Sequence, residues 1–210
     1  MIAIIDYDAG NVGSVEKALR HLGEEVVVTR DADMLFSAEK VILPGVGSFG
    51  DAMKKLQEYG LVEIIRTLVQ NEIPVLGICL GLQLFFESSE ESPGIEGLGI
   101  LKGKIVKIPE GKGPDGEPLK IPHIGWNSLE FPKEGRLFAG IQEEAYVYFV
   151  HSYYLKAEED IVTARTRYGV QIDASVEKGN VFACQFHPEK SSETGLKILK
   201  NFVQLGREGE

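Results

Sequence analysis

Two short runs carry the residues best able to do covalent chemistry. Gly77-Ile78-Cys79-Leu80-Gly81 sets a cysteine between glycines, after the apolar run PVLGI and ahead of LQLFFES. A sharp strand-to-helix turn lifts a nucleophile above a sheet edge, and small flanking residues keep a Cβ from striking neighbouring backbone. The amphipathic helix expected after the turn would favour thiolate through its dipole, and the Leu80 N–H would face an oxyanion. The same cysteine also suits plain core packing, because a free cysteine behaves as a small hydrophobe. Much later, Gln185-Phe186-His187-Pro188-Glu189 closes another apolar run. Pro188 keeps His187 extended, so an imidazole–carboxylate hydrogen bond from His187 to Glu189 is stereochemically easy. Cys79 as nucleophile, His187 as base and Glu189 as orienting acid form a constellation for acyl transfer. A strand-end histidine beside a turn is the plainer alternative for His187. Cys184, in VFACQF, has no such turn and reads as core. His21 reads as surface, while His123 in IPHIGWN and His151 in FVHSYY suit a pocket or an interface.

These groups need elements to bring them together. IAIID (2–6), EVVVT (25–29), KVILPG (40–45) and PVLGICLG (74–81) read as buried strands. Helices are expected over 11–23 (Val15, Ala18, Leu19 and Leu22 on one face), from Asp51 onward (Ala52, Met53, Leu56), over 61–70 (Leu61, Ile65, Leu68) and over LQLFFES. Near-continuous apolar strands alternating with helices indicate a parallel sheet covered on both faces. The C-terminal ends of such strands converge on one edge, where ligands bind. Residues 109–122, with four prolines and three glycines, read as a mobile loop. Beyond it, NSLEF (127–131), AYVYFV (145–150), IVTARTRY (161–168) and VFACQF (181–186) read as antiparallel strands, and 192–205 as a closing helix. The expected fold is α/β: a mostly parallel central sheet flanked by helices, with added antiparallel strands in the C-terminal half, as one domain over residues 1–210.

Composition narrows the functional classes. The formal charge of −10 opposes sequence-independent nucleic-acid binding. Two cysteines exclude a disulfide framework and a Cys-rich zinc site, and the four histidines show no pair at metal-ligand spacing. No metal and no cofactor is implied. The opening MIAIIDYDAG reads as a strand rather than a signal peptide. No apolar run is long enough for a membrane span, so a cytoplasmic protein with reduced thiols is expected. With 24 glycines in 210 residues, tight turns and close backbone approaches should be frequent.

GICLGLQ (77–83) and FHPE (186–189), with the PGVG turn at 44–47, resemble the class I, triad-type glutamine amidotransferases over essentially the whole chain. PGVGSFG (44–50), PHIGWN (122–127), YFVHSY (148–153) and HPEKSS (187–192) more narrowly resemble the glutaminase subunits of imidazole glycerol phosphate synthase. The resemblance implies a flavodoxin-like fold, and hydrolysis of glutamine to glutamate and ammonia through a Cys79 thioester with His187 and Glu189. Its oxyanion donors would be the Leu80 N–H and one from Val46 or Gly47. Gln83 would contact the substrate amide, and Ser152 and Tyr153 its α-amino and carboxylate groups. Asn11, Trp126, Tyr148 and Lys190 would face a separate (βα)8-barrel synthase subunit. That heterodimer partner would use the ammonia in histidine biosynthesis. The resemblance also implies that a peptide of the PGVG turn reorients when the partner binds its substrate. A glutaminase serving another synthase, a stand-alone γ-glutamyl hydrolase and a non-catalytic regulatory subunit remain alternatives, separable by the activity of the free chain.

Overall fold

The computed structural model describes residues 1–113 and 116–206. Pro114 and Asp115 of the expected loop, and the last four positions of the expected 1–210 domain, lie outside the described residues. The elements run β1 (Ile2–Ile5), α1 (Val12–His21), β2 (Val26–Thr29), α2 (Ala32–Ser37), β3 (Lys40–Leu43), α3 (Phe49–Glu58), α4 (Leu61–Gln70), β4 (Val75–Ile78) and α5 (Leu80–Leu84). They continue with β5 (Ser88–Ser89), β6 (Gly103–Lys107), β7 (His123–Ser128), β8 (Tyr146–His151), β9 (Tyr153–Ala157), β10 (Val162–Tyr168), β11 (Val170–Lys178), β12 (Val181–Cys184) and α6 (Ser192–Gln204).

Five strands form the parallel core in the order β2-β1-β3-β4-β12. This is the flavodoxin-like doubly wound order. Alternation along each strand feeds two cores. Ala3, Ile5, Val41, Leu43 and Val75 pack with Leu35, Met53, Leu56, Ile65 and Leu68 of α2, α3 and α4 on one face. Ile2, Ile4, Ile42, Leu76 and Phe182 pack with Val15, Leu19, Ile198, Leu199 and Phe202 of α1 and α6 on the other. β11, β9 and β6 extend the sheet in antiparallel fashion beyond β12, β10 pairs with β11, and β7 and β8 form a separate hairpin.

Several expectations are corrected. VFACQF does not join the core as an antiparallel strand: β12 is antiparallel to β11 but parallel to β4, so it completes the parallel core. The turn after β11, with Gly179 at φ 59°, reverses the chain before β12 begins. The strand expected at 127–131 ends at Ser128, and Glu130 only bridges Arg165. The helix expected from Asp51 starts at Phe49, because Ser48 caps it by accepting from the Asp51 N–H. α2 was not expected; Asp31 starts it by accepting from the Met34 N–H at 3.0 Å. α5 stops at Leu84 and all five of its residues are buried, so it is neither amphipathic nor long enough for a full macrodipole. Around the 109–122 loop, Leu119 N–H donates to Gly111 O and Gly113 N–H to Glu117 O, both at 2.8 Å.

Candidate active site

Cys79 occupies the link from β4 to α5 at φ 55°, ψ −107°, a backbone conformation rare for a non-glycine residue. Close packing holds it there. A Cβ on Gly81 would lie 1.9 Å from Leu43 O, and one on Gly77 would lie 2.7 Å from the Gly81 carbonyl group. The Cys79 N–H donates to Cys184 O at 2.8 Å, tying the turn to the neighbouring parallel strand. The sharp strand-to-helix turn expected for GICLG is therefore present. Cys184 is fully buried in the core, and burial pushes its thiol well up.

His187 and Glu189 emerge beside this turn, from the end of β12. Their side chains are fully buried, with His187 Nδ1 2.7 Å from Glu189 Oε1. A carboxylate accepts, so Nδ1 carries a proton toward Glu189; Nε2 and Glu189 Oε2 have no hydrogen-bond partner among the described residues. Burial opposes a charge on His187, but hydrogen bonding and charge from Cys79 and Glu189 outweigh it and raise the imidazole to about 9. Ser191, also buried, clamps the turn: its Oγ donates to His187 O at 2.6 Å and accepts from the Tyr148 N–H at 2.9 Å. Asn11, expected at a partner surface, donates from Nδ2 to Glu189 Oε1. Neither contact was expected.

A cavity of about 430 Å³ opens on Cys79 and His187. Val46, Gly47, Leu80, Gln83, Ser152 and Tyr153 line it, so the expected oxyanion and substrate residues meet here. Lys190, His151 and Glu91 also reach it; Glu91, in SSEESPG, carried no spacing signal of its own. A larger cleft of about 840 Å³ beside Arg136 and Glu177 has neither a cysteine nor a histidine in its lining.

The expected oxyanion turn is built but not free. Leu80 N–H donates to Gly45 O at 3.4 Å, so one expected donor is occupied by the turn's own carbonyl. Gly47 sits at φ 100°, and Tyr7 OH donates to Pro44 O at 2.7 Å. Gln83 is buried rather than a solvated helix residue, with Nε2 3.1 Å from Tyr153 O and 3.0 Å from Gln185 Oε1.

The β7–β8 hairpin carries two of the expected partner residues, Trp126 and Tyr148. Trp126 pairs in register with Tyr148, their rings 6.2 Å apart and edge to face. Ile124, Trp126 and Tyr146 are 59%, 51% and 58% exposed, large apolar groups side by side on the outer face. On the inner face His123 Nδ1 lies 2.9 Å from His151 Nε2, and His151 Nδ1 lies 2.9 Å from Tyr153 O. Among the described residues no cluster of His, Cys, Asp and Glu could hold a metal, and no helix is long and apolar enough to cross a membrane.

A cysteine on a strained turn, a buried His–Glu pair and a cavity between them, at the C-terminal edge of a doubly wound sheet, define a class, and residues 3–205 match the family described as glutamine amidotransferase class-I. The chain belongs to the class I glutamine amidotransferases. At closer range it is 51% identical, over 98% of this chain and 95% of the relative, to the imidazole glycerol phosphate synthase subunit HisH of Moorella thermoacetica. It is 48% identical to the subunit HisH of Methanocaldococcus jannaschii, over 98% of this chain and 100% of that one. A crystal structure described as a glutamine amidotransferase has the same fold, with TM-score 0.75 at 21% identity over 98% of both chains. The Trypanosoma brucei CTPS glutaminase domain has it too, with TM-score 0.65 at 16% identity over 97% of this chain and 93% of that one.

Proposed function

We propose that this chain is the glutaminase subunit of imidazole glycerol phosphate synthase, acting in histidine biosynthesis. Near 50% identity to HisH subunits over almost the whole length supports this reading. The observation that carries the chemistry is the free Nε2 of His187, buried beside Cys79 and backed by Glu189 at 2.7 Å.

In the proposed reaction Cys79 Sγ attacks the side-chain carboxamide carbon of glutamine, forming a C–S bond and a tetrahedral oxyanion. The C–N bond then breaks as His187 Nε2 gives its proton to the leaving nitrogen, releasing ammonia and a γ-glutamyl thioester. With the imidazole raised to about 9, that proton is already on the ring at neutral pH. Water, deprotonated by His187 Nε2, attacks the thioester; the C–S bond breaks and glutamate leaves. Glu189 holds the tautomer and offsets the imidazolium charge. Both N–H groups of Gln83 are engaged, so toward the cavity it offers Oε1, an acceptor suited to the substrate's NH2. Ser152 and Tyr153 would take the α-carboxylate end, and Glu91 carries the charge to hold an α-ammonium.

The oxyanion turn supports control by a partner. In a planar peptide the Gly45 carbonyl and the Val46 N–H point in opposite directions. Rotating that peptide would withdraw Gly45 O from the Leu80 N–H and swing the Val46 N–H inward, completing the hole with Gly47 providing slack. Losing one such donor costs roughly 10²–10³ in turnover, so the chain alone should be nearly idle. The exposed face of Ile124, Trp126 and Tyr146, with Tyr148, would dock a (βα)8-barrel synthase subunit in a cytoplasmic heterodimer. Exposed Lys190 would meet an acidic residue of that partner, and Asn11 would lie close to the same surface. No metal or cofactor enters the reaction, and residues 1–210 would act as one domain.

The test is glutamine hydrolysis with and without the barrel subunit and its nucleotide ligand. Stimulation of about 10²-fold or more is expected; full activity of the lone chain would refute the coupled reading in favour of a self-sufficient hydrolase. Cys79→Ala should abolish glutamine use while the complex still consumes added ammonia.

A further inference from the structure

The residue before Phe186-His187 has no role in the mechanism so far. Gln185 follows β12, its backbone N–H donating to Ala174 O at 2.8 Å, and its side chain is fully buried. A buried amide must be satisfied on both its oxygen and its nitrogen, which makes its orientation decidable.

The orientation follows from the groups that can only accept. Tyr153 O is a carbonyl, so the Gln83 atom 3.1 Å from it is the nitrogen Nε2. The second hydrogen on that nitrogen is directed at Gln185, 3.0 Å away, which must therefore present its oxygen. Gln185 Nε2 is thereby turned to the opposite side, where it lies 3.7 Å from Cys79 Sγ. The donor direction thus runs from Gln83 to Tyr153 O and to Gln185, and from Gln185 to the sulfur. A second group near the sulfur has the opposite preference: Val150 O, 3.9 Å away, suits a neutral S–H donor and not an anion. Hydrogen bonding and charge also draw His187 toward Cys79, although its Nε2 has no partner at hydrogen-bond distance among the described residues. Gln185 Nε2, at 3.7 Å, is a side-chain N–H at hydrogen-bond distance from the sulfur, on a different residue from the histidine base.

We propose that Gln185 is a further catalytic residue, an N–H donor that holds Cys79 Sγ as a thiolate, and that Gln83 is the positioning residue that keeps that donor turned toward the sulfur. The inference rests on the reading of Cys79 as the nucleophile. Hydrogen bonding to the charged form of a group favours that form. The donor acts at two points. It stabilises the attacking thiolate, and it stabilises the same thiolate when the C–S bond of the thioester breaks. The thioester sulfur between those steps is neutral and gains little from the N–H, so the contact is strongest where charge sits on sulfur. Gln185 transfers no proton and forms no bond; the proton inventory stays with His187.

The test reads the thiolate directly on the full chain. Alkylation of Cys79 by iodoacetamide is followed by mass spectrometry across pH, with buried Cys184 as the internal unreactive control. Gln185→Leu removes the donor and shortens the side chain by one atom, Gln185→Asn keeps the amide but shortens its reach, and Gln83→Met removes the orienting donor. Each variant is checked for the wild-type circular dichroism spectrum. In Gln185→Leu the pH of half-maximal alkylation should rise by about one unit, with the high-pH plateau unchanged. Gln185→Asn should move the same way, and Gln83→Met by less. An unchanged midpoint in a folded Gln185 variant overturns the proposal, as does an equal loss at every pH, which marks lost access. If neither Gln185 variant folds, an unchanged midpoint in Gln83→Met overturns it. Should Cys79→Ala retain glutamine turnover, the nucleophile reading fails and the inference with it. With Cys79→Ala inactive and midpoints unmoved, only the role of Gln185 fails.

Discussion

Replacing Gly195 by alanine should cost both stability and turnover, although the position is helical. Gly195 lies in the first turns of α6, its N–H donating to Ser191 O at 3.0 Å. A Cβ there would sit 1.8 Å from Pro188 O and 2.8 Å from Ser191 Cβ. Real Cβ contacts essentially never fall under 3.0 Å, so something must shift by at least 3.0 − 1.8 = 1.2 Å. Pro188 O is backbone and has no rotamer to yield. Either α6 backs away from the sheet, or the Pro188–Lys190 turn moves and carries Glu189 and His187 with it. Helix propensity favours the alanine by about 1 kcal/mol, but overpacking against fixed backbone costs about 3 kcal/mol, leaving a net loss of about 2 kcal/mol. A displacement near 1 Å in a catalytic pair costs about 10²-fold in rate. Gly13→Ala is the matched control: Gly13 is exposed in α1, a Cβ there meets nothing within 4 Å, and a gain of about 0.5–1 kcal/mol is expected. Urea unfolding measures both variants, and glutamine hydrolysis with the partner subunit measures the displacement. Lost stability with retained turnover says that the helix moved; retained stability with lost turnover says that the turn moved. A Gly195→Ala variant as stable and as active as the parent would refute the reasoning.

Asn11→Leu removes the donor to Glu189 Oε1 and should lower turnover about tenfold; an effect confined to partner affinity would return Asn11 to a purely interfacial role. Trp126→Ala should weaken partner binding by about 2 kcal/mol, roughly 30-fold in Kd by calorimetry, and leave the fold intact; unchanged affinity would move the interface elsewhere. Burial, reinforced by charge on a neighbouring histidine, lowers His123 to about 3 and His151 to about 4. Both stay neutral in the fold yet charge when unfolded below about 6.5, so each should cost about 2 kcal/mol of stability as pH falls from about 6.5 to about 5. His123→Phe should flatten that slope in urea titrations across pH. His187, raised to about 9, acts in the opposite sense: its contribution is full below about 6.5 and is lost as pH rises through about 9.

The site was legible wherever chemistry and local geometry coincide in a few residues. Glycines on both sides of Cys79 announce a turn that no Cβ would permit, and His187 and Glu189 flank one proline. Strand direction was not legible. VFACQF reads the same whether parallel or antiparallel, and only the turn at Gly179 and the partner β4 decide. β9 and β11 passed unseen because each follows its predecessor after one residue, Ser152 or Gly169, too short a break for a pattern of apolar runs to register. The length of α5 was hidden as well. Its apolar residues continue through Phe86, but the Leu98 N–H bonds Leu84 O and the Ile100 and Leu101 N–H groups bond Phe85 O, so a later segment takes the carbonyls that a longer helix would use.

The contacts that sequence reading missed share a physical signature. Gln185 and Ser191 are polar, completely buried, and within two to four positions of His187. Asn11 sits at φ 73° just before α1, a conformation that Asn tolerates better than most residues, and its side chain crosses to Glu189. Each such group is costly to bury without a partner, and each has found one on the nucleophile, on the carboxylate or on the histidine's own backbone. An amide inside an apolar run such as FACQF is thus a stronger signal than its chemistry alone conveys. A core position that needed only volume would take leucine at less cost, and the glutamine is explained by the sulfur 3.7 Å from its nitrogen.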